Sequence, residues 1–110
     1  MQITQWNCSS QDNFDEAYLE QALENSNLCL LQRCKDRFLH VAMNKFNNYF
    51  KTSHSADRSL VIGSNYEISD QKHFELPTYN HIDIYKYDSN QGSMAQSIVI
   101  KDLQIINFQI

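Results

Sequence analysis

Two glycines and a single proline are all that 110 residues contain of the strongest backbone punctuators. That scarcity excludes the glycine-rich loops that cradle phosphates, and no GxSxG, HExxH or EF-hand pattern occurs either. Cysteine is sparse: Cys8, Cys29 and Cys34 form an odd set with no CxxC pair, which is neither a disulfide framework nor a zinc signature. No apolar run approaches the ~18 residues of a membrane-crossing helix, and the opening MQITQW lacks the basic and apolar regions of a secretory signal. The expectation is a cytoplasmic chain with reduced thiols, no membrane contact, no metal and no cofactor.

What is present is an ordinary core composition, with six Phe, six Tyr and one Trp. The length suits one domain, 1–110, large enough to fold without metal or disulfide. The net charge of −4 is laid out unevenly. Asp12, Asp15, Glu16, Glu20 and Glu24 stand in the first 31 residues without any Lys or Arg. Arg33, Lys35, Arg37, Lys45 and Lys51 follow against Asp36 alone, and the remainder is mildly acidic. Such polarity bears on steering and partner choice rather than on fold.

Periodicity divides the chain into a helical part, about 12–51, and a β-sheet part, about 58–110. In DNFDEAYLEQALEN, Asp12 is the expected N-cap of a helix over 13–25, with Asp15 completing an Asp variant of the capping box. Phe14, Tyr18 and Ala22 form its apolar stripe, flanked by Leu19 and Leu23, while Glu16, Glu20 and Glu24 make a ridge opposite. NLCLLQRCKDRFLHVAMNKFNNYFK fits one long core helix. Its stripe holds Leu28, Leu31, Cys34, Phe38, Leu39, Ala42, Met43, Phe46, Tyr49 and Phe50, and Arg33, Asp36, Arg37, His40, Asn44, Asn47 and Lys51 take the outer arc. Cys34 reads as a small core residue, and Cys29 falls on a different part of the wheel, so the two do not chelate together.

From residue 58 the period becomes two. SLVI and YEIS flank Gly63-Ser64-Asn65 as a hairpin, HFELP stops at Pro77, and YNHIDIYKYD, MAQSIVI and LQIINFQI complete about five strands. The fold class expected is α+β, two N-terminal helices packed on one face of an antiparallel meander. MQITQW offers a further strand. In LQIINFQI the apolar residues change phase at Ile105-Ile106, which calls for a bulge there or for cover on both faces.

The clearest functional candidate is the alternating YNHIDIYKYD, where Ile82 and Ile84 face one side and Tyr79, His81, Asp83, Tyr85 and Tyr87 the other. Aromatic residues beside His and Asp suit protein recognition. With no catalytic motif, the reading is a stoichiometric inhibitor or adaptor, of the kind represented by toxin-immunity proteins and phage-encoded inhibitors of host defence enzymes. It is not an enzyme on this reading. Its partner is another protein with a basic surface, met by that face together with the Glu16, Glu20 and Glu24 ridge. Direct nucleic-acid binding is disfavoured by the net negative charge. The terminal strand supplies a homodimer contact.

The alternative is a small pocket enzyme or ligand-binding protein using His81 and Asp83, with His54, His73 and Glu75 as further candidate ligands. Helices followed by a curved sheet resemble the cone-shaped fold of ketosteroid isomerase-like proteins, an analogy of architecture alone.

Overall fold

The structure is a computed structural model and describes residues 1–8, 15–55, 58–75 and 94–109. Among these residues the chain begins with β1 (Ile3–Asn7), α1 (Glu16–Leu23), β2 (Leu28–Cys34), α2 (Asp36–Lys45) and β3 (Asn48–Ser55). It continues with β4 (Arg58–Ser64), β5 (Ser69–Glu75), β6 (Met94–Ile100) and β7 (Leu103–Gln109).

Two sheets result. The first has the order β1-β2-β4-β3 and the second β5-β6-β7. β1 and β2 are parallel and joined through α1, whereas β4 runs antiparallel between β2 and β3. The three strands of the second sheet are antiparallel throughout.

This overturns the expectation of two N-terminal helices on a single meander. The described chain is dominated by strands in two sheets, and its helices lie between strands. The segment read as one long helix is strand, helix, strand. Leu28 and Leu30 face the second sheet while Cys29 and Leu31 face the helices. A strand buried on both faces shows no alternation, and its continuous apolar run fits a helical wheel equally well.

The SLVI–YEIS hairpin is also absent. β4 pairs with β2 and β3, and β5 belongs to the other sheet, so residues 65–68 carry the chain from one sheet to the other. Nor does the phase change in β7 reflect a bulge, because its pairing with β6 is regular from Leu103 to Gln109. Ile105 points inward and is buried, whereas Ile106 and Phe108 point outward and are about half exposed.

Two cores follow from these layers. Leu19, Leu23, Cys29, Leu31, Phe38, Val41, Ala42, Phe46 and Val61 pack between the helices and the first sheet. Leu28, Ile62, Ile98, Ile100 and Ile105 pack between the sheets, with Leu30, Phe50, Tyr66 and Ile68 at their margin. α1 starts later than expected: Asp15 is its N-cap, its carboxylate accepting from the Tyr18 N–H at 3.1 Å. The buried residues of α1 are Leu19 and Leu23, while Tyr18 is 58% exposed, so the expected stripe is rotated toward the leucines. In α2, Phe38, Leu39 and Ala42 are buried and Arg37, His40 and Asn44 exposed, as the periodicity indicated.

Candidate binding cleft

The first sheet has four strands and the second three, and β7 lies beneath β2 and β4. β1 therefore overhangs. Its residues alternate between exposed and half-buried, and Gln5 and Asn7 lie on the overhanging side. The result is a cleft of about 450 Å³ bordered by Gln5, Asn7, Leu30, Gln32, Arg33, Ile106, Asn107 and Phe108.

A ladder of amides forms its inner wall. Gln5 donates to the Gln32 side-chain oxygen, and Gln32 donates to Asn107 Oδ1 at 2.7 Å and to the Leu30 carbonyl at 3.3 Å. The Asn107 amide nitrogen then reaches the Leu31 and Val61 carbonyls at 3.1 and 3.3 Å and Gln96 Oε1 at 3.1 Å. Gln96 donates in turn toward the Phe50 and Leu60 carbonyls at 2.9 and 3.0 Å and to Thr52 Oγ1 at 3.1 Å.

Gln32, Gln96 and Asn107 are all buried, and among the described residues every buried side-chain nitrogen and oxygen has a partner. A fully satisfied network of this kind locks side-chain orientation, because each alternative rotamer strands a donor in a dry interior.

Arg33 stands at the cleft through an irregularity in β2. The register against β4 shifts between Leu31 and Cys34, and Arg33 has φ of 50°. Regular alternation would place Arg33 beside Cys29 and Leu31 under the helices. The bulge changes the phase, so Cys34 enters the helix-side core and the exposed Arg33 borders the cleft. A left-handed backbone at a non-glycine residue costs about 1–3 kcal/mol, and such strain is typically kept where a side chain must be aimed.

The described lining offers amide hydrogen-bonding groups, one guanidinium and apolar surface, and none of its described residues is a carboxylate, imidazole or thiol.

The sequence candidates lie elsewhere. Tyr79, His81, Asp83, Tyr85 and Tyr87 fall outside the described residues. Glu20 and Glu24 are exposed at α1, and Glu16 lies 3.9 Å from Arg37. His73 stands on β5 opposite Gln96 and is exposed, while the side chains of His54 and Glu75 are outside the described set. Among the described residues no group of three or more His, Cys, Asp or Glu is placed to hold a metal ion.

The three thiols are closer than the helical wheel suggested. All are buried in the helix-side core, and Cys8 and Cys34 are hydrogen-bonded. Burial pushes the Cys29 thiol up to about 12, and the Cys34 thiol is raised first by its bond with Cys8 and then by burial. Neutral thiols of this kind are core residues rather than nucleophiles.

The residues that build the cleft left a partial signal in the sequence: Gln32, Gln96 and Asn107 each stand next to apolar residues within a strand, in LCLLQ, MAQ and IINF. An amide there has to find partners across the fold.

No family model matches the sequence, and no curated protein matches it. Solved structures share its fold. Humanized D. rerio TDP2 carrying 14 mutations matches with a TM-score of 0.61 at 10% identity, over 96% of this chain and 47% of that one. D. rerio TDP2 complexed with a single strand DNA product matches with a TM-score of 0.59 at 11% identity, over 96% of this chain and 43% of that one. The likeness is one of fold, and the chain spans less than half the length of either structure.

Proposed function

We propose that the chain is a stoichiometric binding module that takes a single-stranded nucleic acid in the cleft between β1, β2 and β7. A phosphate sits against the Arg33 guanidinium and the amides of Gln5, Asn7 and Gln32, and a base stacks on the half-exposed Phe108. The single observation that carries this reading is the β2 bulge, whose left-handed Arg33 brings a guanidinium to the border of the cleft beside the amides of Gln5, Asn7 and Gln32. Amide donors, a planar guanidinium and an exposed ring are the combination that single strands meet on sequence-tolerant proteins. The reading is in keeping with D. rerio TDP2, which has been solved with a single strand DNA product.

The net charge of −4 limits the interaction to few phosphates. With about one phosphate neutralised, log K falls against log salt with a slope of roughly −0.7. The test is fluorescence anisotropy with a labelled oligonucleotide of about 12 nucleotides, within the usual site size of such proteins. Arg33→Ala is expected to weaken binding by about tenfold or more, as loss of a charge-assisted contact does, and to flatten the salt slope. Unchanged affinity in Arg33→Ala, or no binding by the parent protein at low salt, refutes the reading.

The exposed Glu20 and Glu24 of α1 favour a second reading, in which an inhibitor or adaptor meets a basic protein through its acidic helix.

A further inference from the structure

The amide ladder has a direction, and the backbone sets it. A carbonyl oxygen only accepts, so the end of a side-chain amide that bonds to one must be the nitrogen. Gln96 Nε2 faces the Phe50 and Leu60 carbonyls, which turns its Oε1 toward Asn107. Asn107 Nδ2 faces the Leu31 and Val61 carbonyls, which turns its Oδ1 toward Gln32. Gln32 Nε2 faces that oxygen and the Leu30 carbonyl, so its Oε1 points at Gln5, which answers with its nitrogen. Every rung runs the same way, from the interior outward. At the end stands Gln5 Oε1, the one amide oxygen of the ladder that accepts no bond within it.

Gln5 is exposed on the overhanging side of β1 and borders the cleft. Turning its amide over would set Oε1 against Gln32 Oε1, two acceptors with no proton between them. The core therefore decides that the outermost rung meets a ligand with an acceptor.

We infer, resting on the nucleic-acid reading above, that Gln5 reads an unpaired base edge: its Oε1 accepts a hydrogen bond from a base N–H in the cleft. In a DNA strand the phosphodiesters and the sugars they join offer acceptors alone. Each base, by contrast, carries an N–H donor on its pairing edge, the amino group of adenine, cytosine and guanine or the imino group of guanine and thymine. Because every base has such a donor, the contact tolerates any sequence. Because a complementary strand occupies that edge, the contact favours a strand that is unpaired.

Fluorescence anisotropy with two labelled oligonucleotides of ~12 nucleotides tests this, one of thymidine and one of N3-methylthymidine, in which a methyl group replaces the sole N–H of the base. Backbone charge and the aromatic ring are the same in both. The parent protein is expected to bind the methylated strand about threefold to tenfold more weakly, the worth of one neutral hydrogen bond. Gln5→Ala is expected to bind the two strands equally. That substitution removes only the last rung, so the bonds among Gln32, Asn107 and Gln96 remain.

Equal binding of the two strands by the parent overturns the inference and leaves standing the nucleic-acid reading, which Arg33→Ala tests on its own. Discrimination that persists undiminished in Gln5→Ala also overturns it, because the methyl group then acts by its bulk elsewhere in the cleft. A parent protein that binds neither strand removes both.

Discussion

At the scale of single residues the chain is organised by a few side chains whose surroundings allow no substitute. Gly63 sits on β4 where an added Cβ would lie 2.6 Å from Phe46 Cδ2 and 2.9 Å from Cys29 Sγ. Its φ is not positive, so the requirement is one of space rather than of backbone freedom. Gly63→Ala is expected to destabilise by about 1–3 kcal/mol, the usual cost of overpacking, measured as a lower urea midpoint with an unchanged m-value. The sequence offered Gly63 as a turn residue because glycine is common in turns. That it is instead the point where Phe46 closes on β4 depends on a contact between residues far apart in the chain. Arg33 is similar: no local pattern announces a left-handed arginine, since the bulge arises from the pairing of β2 with β4.

At the scale of elements, the legible features were those with a local cause. The apolar face of α2 and the strand character of β6 and β7 follow from side-chain period alone. β2 was not legible, because burial on both sides erases the period that separates strand from helix. The arc expected to gather Arg33, Arg37 and Lys51 is therefore dispersed over β2, α2 and β3. The acidic ridge survives. Glu16, Glu20 and Glu24 stand at four-residue spacing along α1 and its C-cap, with Glu16 near Arg37. Glu20→Lys replaces two like-charge neighbours with two opposite ones and is expected to raise stability by about 0.5–1 kcal/mol at low salt, the gain shrinking as salt is added. Thermal melts at two ionic strengths check it. If the ridge also meets a basic partner, the same substitution lowers the association rate.

At the scale of the whole molecule, three layers of unequal width decide where anything can bind. Among the described residues, helices cover one face of the four-stranded sheet and the three-stranded sheet covers most of the other, leaving the β1 overhang as a cleft. The helix-side core also sets the response to alkali. Cys29 and Cys34 remain protonated in the folded chain well above the range in which free thiols ionise, so above about pH 8.5 the unfolded chain holds fewer protons than the folded one. Stability is then lost as pH rises, by about 1.4 kcal/mol per pH unit for each thiol once ionised in the unfolded state, and is unaffected by these groups below about pH 7.5. Urea unfolding with reductant between about pH 7 and 9.5 should show this fall, and Cys29→Ala should show a shallower one. By itself the sequence determined the apolar face of α2, the strand character of β6 and β7 and the acidic helix, because each depends on neighbours within a few positions. Only the tertiary structure decided that Leu28–Cys34 is a strand, that amides from four strands join into one ladder, and that Arg33 borders a cleft. Those outcomes depend on which strands become neighbours, and side-chain period along a single segment carries no record of what will lie across from it.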